Sequence, residues 1–595
     1  MRKILHATFL LLVFESANAQ PFNSQLATML QDTLDTYVSI ILNIKGMSAS
    51  VYLPGQGLWQ GTSGVSHSGQ PITADMKFGI ASNTKLFVSA AMLKLQEAGI
   101  LSLDDSLHQW LDDYPNINPD ITIRQLLNHT SGISDPLFAP PWMDTINANP
   151  TRIFAPEEVL SWVGLPLFSP GTSWGYSNIN YILAGMIAES ATGHHISKII
   201  RDSILQPLGL GDSFYDVEEP ESGTIVHRWW NEIDYNDTSR VGLNSAGGCA
   251  GALFSTSSEM AQWYHALFSG QVINSSSVEE LTQFVSTTSP TYDYGLGLSR
   301  ETTLGFTYWG HGGSTWGYKS KMIYDTCMGT AVCGLANSFP AGMDGVTFLL
   351  YQVVVNHVPG CLGAIEGEIS VCQGELSVIY SVAPAANATS YEWTLPDGAS
   401  GSSNTNTIAV DFSPAAVSGD IVVYAVNDFG AGGNSSLGVT VHPPPQTPEV
   451  SLNGMVLHSS APTGNQWYNS SGIIDGATAQ HYEVTATDDY FTIVTSSGCS
   501  SDPSNVVHVV FSGVEQHGMT SPEVFPNPVA DEAVIEMKDY HVKTDYRLMN
   551  AMGQTVTRGT IIERATLQMD HLPAGVYFLH VQTGDSYLLK KIIKE

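Results

Sequence analysis

Residues 79–92, GIASNTKLFVSAAM, place Ser82 and Lys85 three apart at the head of an apolar run. Residues with that spacing share a helix face, so a hydroxyl in the first turn meets an amine directly. The continuation through residue 99, SNTKLFVSAAMLKLQEAG, predicts an amphipathic helix capped by Ser82 or Asn83 and ended by Gly99. Lys85 then sits in the first turn, where the positive end of the helix and partial burial both disfavour an ammonium. A serine needs a base to become nucleophilic, and a lysine of depressed pKa is such a base.

Two later stretches supply the missing chemistry. FSPGTSWGYSNINYILAGMIAE, residues 168–189, carries Tyr176 and Asn178 just ahead of a second helical pattern. YWGHGGSTWGYKSKMIYD, residues 308–325, presents His311, Gly312 and Gly313 before a strand-like run that turns back through GTAVCGLANS. The glycine pair lets a substrate lie against backbone, so the main-chain N–H of Ser314 can join that of Ser82 as oxyanion donors.

Ser82-x-x-Lys85, Tyr176-x-Asn178 and His311-Gly312-Gly313, in this order, resemble the serine β-lactamase and penicillin-binding protein superfamily, in its class C and D-alanyl-D-alanine carboxypeptidase-like branch. GLWQGTSG at 57–64, DITIRQLLNHTSGI at 120–133 and GALFSTSSEMAQW at 251–263 share the likeness, which spans about residues 22–358. The resemblance implies an α/β sandwich: an antiparallel sheet built from both ends of the domain sequence and flanked by helices. It implies that Ser82 forms the acyl-enzyme, Lys85 activates it, Tyr176 shares in proton transfer, Asn178 holds the substrate amide, and Gly312 and Gly313 border the pocket with Ser314. His311 departs from the lysine of class C β-lactamases and matches some carboxypeptidases and esterases. An ordinary imidazole is mostly neutral at pH 7, so it fixes a substrate carboxylate less reliably. The expected substrates are D-amino-acid peptides, small esters or β-lactams, with neither cofactor nor metal. A non-catalytic surface binding protein or adhesin is the alternative.

Two decoys are set aside. Residues 171–175, GTSWG, match the nucleophile elbow of α/β-hydrolases, with Ser173 as nucleophile, but an elbow follows a buried central strand and Pro166 and Pro170 interrupt this one. His129, in LLNHTSG, reads as a structural residue near a helix end.

The remaining chain bounds the setting. At 595 residues it exceeds one core, and roughly 100–200 residues per domain suggests several units. Charged residues are only 13% of the chain and hydrophobic ones 43%, which makes it globular. With 23 basic and 56 acidic side chains the net charge is −33, which disfavours nucleic acid and anionic membrane surfaces. Arg2 and Lys3, the apolar residues 4–14 and Ala17-Asn18-Ala19 predict a signal peptide, residues 1–19, removed after Ala19. No later run is apolar enough to span a bilayer, so export is expected to leave a soluble enzyme. Of six cysteines, Cys327 with Cys333 and Cys361 with Cys372 are the expected pairs, being close in sequence.

Beyond Pro359 the texture turns to short alternating runs rich in Ser, Thr, Asn and Val, the pattern of β-sandwiches. Residues 360–441 resemble PKD or Ig-like repeats and 446–511 a second Ig-like repeat, and such repeats usually act as spacers. Residues 523–595, with FPNP, NAMGQ and LPAGVYFLHV, resemble a type IX secretion C-terminal sorting domain. That likeness implies type IX secretion machinery as a partner, passage across the outer membrane, and removal of the tail from a released or surface-attached enzyme.

Overall fold

The computed structural model describes residues 22–41, 43–137, 139–510, 522–538, 541–583 and 586–595; the expected signal peptide lies outside them. The chain divides into two units, 1–444 with 497–499, and 445–496 with 500–595.

The first unit is organised by a nine-stranded antiparallel sheet. Gln70–Pro71, Gly57–His67 and Gly46–Leu53 form one side, and Thr330–Ala336, Tyr318–Asp325, Phe306–Thr315, Ser299–Thr303, Tyr292–Tyr294 and Val285–Ser286 continue it. Both ends of the region 22–358 therefore meet in one sheet, joined where Met47 opposes Ala336. Helices Ser24–Ile40 and Met343–His357 cover one face. Leu26, Leu30, Leu34 and Val38 recur every four residues and bury a single stripe there. The opposite face packs against a larger helical layer that includes Thr84–Glu97, Ile179–Thr192 and Ser257–Phe268. With both faces covered, strand Gly46–Leu53 is buried almost throughout instead of alternating.

Helix Thr84–Glu97 is not amphipathic as expected: every residue from Thr84 to Leu93 is buried, because it runs between the sheet and other helices. Nor does Asn83 cap it. Its amide donates to Ser320 Oγ at 2.8 Å and its carbonyl accepts from Tyr264, tying the turn at Ser82 to the sheet. Gly99 follows the helix end with φ +68°, the left-handed conformation glycine adopts without strain.

Residues 360–441 form a β-sandwich of a four-stranded and a three-stranded sheet. In its strand Thr407–Phe412, buried and exposed residues alternate strictly, as a half-buried strand requires. This module does not hang as a spacer. Asn427 Nδ2 donates to the His357 carbonyl at 2.6 Å, Gln56 Nε2 donates to the Phe429 carbonyl at 2.8 Å, and Phe429 packs against the core beneath the two covering helices. Ending the chain at Val358 is therefore expected to lower the melting temperature of the preceding region by roughly 3–5 °C relative to a chain ending at Pro444, about 3 kcal/mol of lost contacts. Differential scanning calorimetry of the two checks this, and equal melting temperatures would show the contacts to be passive.

The expected cysteine pairs are not formed. Cys327, exposed in the turn after Asp325, bonds Cys361 with a Cα–Cα distance of 5.7 Å. Cys333 is buried in its strand opposite Met322, facing the core and free, as is Cys249. Cys372 bonds Cys499 across 127 residues. Closeness in sequence misled here because Cys327 stays exposed in the turn whereas Cys333, three residues into the following strand, points into the core.

In the second unit, Trp467, Tyr490 and Leu457 centre a small β core, and residues 523–595 form a three-stranded and a four-stranded sheet around Ile535, Leu548 and Leu579. Among the described residues, no helix is long and apolar enough to cross a membrane.

Candidate active site

Ser82 lies in the tight turn Ala81–Asn83 that leads into helix Thr84–Glu97, and it is half-buried in a narrow cleft. Ala81, just before it, has φ +48°, a conformation uncommon for a residue with a side chain. The strand Phe306–Thr315 holds that turn from beside. Ser320 Oγ, opposite Gly313, donates to the Ile80 carbonyl at 2.6 Å. A Cβ on Gly313 would stand 2.3 Å from that same carbonyl, so only glycine permits the approach.

Lys85 is fully buried, and its amine makes three contacts: Ser82 Oγ at 3.1 Å, Asn178 Oδ1 at 2.8 Å and the Ala250 carbonyl at 2.8 Å. Burial lowers its pKa to about 7, against the opposing pull of the Asp135 carboxylate. The three contacts can also be made by the neutral form that burial favours. An uncharged amine has two N–H groups and one lone pair; the amide oxygen and the carbonyl take the hydrogens, and the lone pair is left for the serine hydroxyl.

Asn178, the residue before helix Ile179–Thr192, is oriented from behind. Asp135 Oδ2 accepts from its Nδ2 at 2.8 Å and from its backbone N–H at 3.1 Å, which turns Oδ1 toward Lys85. Asp135 was not legible in the sequence. It is one carboxylate in a proline-rich loop, and nothing local marks it as the partner of a residue 43 positions on.

Tyr176 is buried beside the Lys85 amine, and desolvation raises its pKa well above the ordinary value of 10. It therefore carries its proton at neutral pH and is a donor, not a phenolate base. The Lys85 amine lies 4.9 Å from its ring centroid. His129 supports this loop. It sits past helix Ile123–Leu127 at φ +63°, accepts from Asn180 Nδ2 at 2.9 Å on Nδ1, and packs its ring 4.2 Å from that of Tyr176.

His311 is buried and held on both ring nitrogens. Nδ1 donates to the Gly312 carbonyl at 2.6 Å, so Nε2 accepts from the Tyr294 hydroxyl at 2.8 Å. Desolvation and the nearby Lys85 amine lower its pKa to about 3. It therefore brings neither charge nor a free N–H to the cleft, whose wall at this strand is Ser314, Thr315 and Trp316. Gly312 is exposed and Gly313 buried beneath the Ser82 turn. Ser173, the decoy nucleophile, is exposed in a turn with no strand before it.

Residues 33–353 match the family described as Beta-lactamase, 358–439 the PKD-like domain, and 523–595 the Secretion system C-terminal sorting domain. Among curated proteins, Penicillin-binding protein 4* of Bacillus subtilis (strain 168) is 27% identical over 275 residues, 43% of this chain and 59% of that protein. Esterase EstB of Burkholderia gladioli is 33% identical over 196 residues, 31% of this chain and 50% of that protein. The chain thus spans about half the length of the curated relatives it matches. Among solved structures, the D-amino acid amidase from Ochrobactrum anthropi SV3, complexed with L-phenylalanine, aligns with a TM-score of 0.50 at 25% identity, over 56% of this chain and 98% of that one.

Proposed function

The chain belongs to the beta-lactamase family, and from that premise we propose that it is a serine hydrolase that opens amide or ester bonds through an acyl-enzyme on Ser82. The sorting domain at 523–595 makes it a secreted or cell-surface protein and is its handle for the secretion machinery. The observation that carries the reading is the buried Lys85 amine, 3.1 Å from Ser82 Oγ, with its other two contacts made by acceptors.

Ser82 Oγ attacks the substrate carbonyl while its proton passes to the Lys85 lone pair. The oxyanion is received by the backbone N–H groups of Ser82 and Ser314. As the tetrahedral intermediate collapses, the Tyr176 hydroxyl gives its proton to the departing nitrogen or oxygen and is reprotonated from Lys85. Water then repeats the attack on the acyl-serine, and Ser82 leaves with the proton that water brought. Asn178, fixed by Asp135, both orients Lys85 and meets the substrate amide.

Amides and esters stand ahead of β-lactams because the neutral, doubly bonded His311 offers no cation for a carboxylate. The names of two relatives, an esterase and a D-amino acid amidase, point the same way. Incubating the full chain with p-nitrophenyl butyrate or a penicillin, quenching in acid and measuring intact mass tests the reading. The expected result is an acyl group on Ser82, with turnover of the ester and slow release of the penicillin. Rapid penicillin hydrolysis would make it a β-lactamase, and no adduct or turnover with either reagent would favour the binding-protein alternative.

A further inference from the structure

A cavity of about 600 Å³ adjoins the Ser82 cleft and shares with it the wall formed by Ser314, Thr315 and Trp316. We propose that this cavity is the subsite for the acyl side of the substrate, and that it selects a neutral, aromatic or bulky apolar group there. The inference rests on the hydrolase reading and names its substrate class.

Three observations carry it. The first is chemistry. Trp230, Tyr235, Trp316 and Phe339 turn rings into the cavity with Met143 beside them, and no Lys, Arg, His, Asp or Glu is among its described lining residues. A charged group entering would lose hydration without gaining a partner, whereas a ring meets surfaces of its own kind. The second is construction. Phe339 pairs with Trp230 in a short parallel ladder, which sets their rings 4.7 Å apart at 34°. Both rings are thus positioned by backbone pairing, not by loop conformation alone. The third is direction. Tyr176, the leaving-group acid, lies toward His311 at the other end of the catalytic stretch of the strand, their ring centroids 6.4 Å apart. The cavity begins at Ser314 and extends past Trp316, so a substrate laid along this strand puts its leaving group by Tyr176 and its acyl group in the aromatic cavity. The space about Ser82 itself is only about 40 Å³, enough for the scissile group and little more, while the adjoining cavity has the volume typical of ligand pockets.

The test measures kcat/KM of the full chain for the p-nitrophenyl esters of acetate, 3-phenylpropanoate and 3-(4-carboxyphenyl)propanoate, each divided by its rate of spontaneous hydrolysis. The three share one leaving group, so the ratios report the acyl side alone. The phenyl ester is expected to exceed the acetate on the order of 100-fold, as burial of a phenyl ring allows, and the carboxylate to lose at least tenfold of that preference. Trp230→Ala is expected to shrink the phenyl-to-acetate ratio at least tenfold, and Trp230→Phe to restore most of it, which separates loss of the ring from loss of the fold. Turnover that depends on Ser82 but shows a flat acyl preference, or a preference that Trp230→Ala leaves intact, would overturn the cavity's role while leaving the hydrolase standing. If none of the esters turns over and none acylates Ser82, the hydrolase reading falls and the subsite with it.

Discussion

Ser82→Ala is expected to lower kcat for p-nitrophenyl butyrate by roughly 10⁴-fold or more and to leave no acyl adduct in the intact mass. The effect is large because the hydroxyl placed against the Lys85 amine is that of Ser82, while Tyr176 holds its proton and Ser173 is exposed in a turn elsewhere. Whatever activity survives measures substrate binding and oxyanion stabilisation without a covalent step. The substitution removes one hydroxyl from a half-buried position, so the melting temperature is expected to stay within a few degrees of the wild type. Turnover within tenfold of the wild type, with the fold intact, would place the nucleophile at another residue.

Lys85→Met is expected to cost roughly 10³-fold in kcat/KM, within the range for a lost general base, and to change the shape of the pH profile. In the wild type, the neutral amine is the reactive form and its pKa is lowered to about 7. kcat/KM should therefore rise with pH through about 7, fall about tenfold per unit well below it, and level off above. Methionine fills a similar volume without a titrating group, so the ascending limb near 7 should vanish along with most of the rate. The same depressed pKa acts on stability. Between about 7 and the ordinary lysine value of 10.5 the unfolded chain binds a proton that the folded chain does not, so this residue's contribution to stability rises with pH across that window. A wild-type profile flat from pH 5 to 9, with Lys85→Met equally active, would remove Lys85 from the proton path.

The PKD-like module is part of the fold of the first unit. Phe429 packs against the core beneath the two covering helices, and Asn427 and Asn387 donate to carbonyls at the end of helix Met343–His357. Cys361, just past that helix, is bonded to Cys327 in the sheet's hairpin. The region 22–358 and the module after it belong to one compact unit, and shortening the chain between them exposes an apolar surface and orphans a helix terminus.

The relation of Ser82 to Lys85 was open to reading from the chain alone, because helix geometry gives residues three apart one face wherever the helix is placed. The same holds for the left-handed turn at Gly99, for the alternation in strand Thr407–Phe412 and for the order of the modules, all of which are local properties of the backbone. The functional state of the lysine was not open in this way. Its pKa depends on being enclosed by Asn178, Ala250 and the rings of Tyr176 and Tyr181, which arrive from segments about 90 and 165 residues away in sequence. His311 illustrates the same division. Its identity is a matter of sequence, but its neutrality follows from burial and from Tyr294 on its Nε2. Asp135 behind Asn178, the Cys372–Cys499 pair and the aromatic cavity beside Ser314 likewise appear only when the sheet register brings distant segments together. Covalent spacing determined that a hydroxyl and an amine share one helix face. Burial and register decided which were charged, which were already engaged, and what kind of acyl group has room beside them.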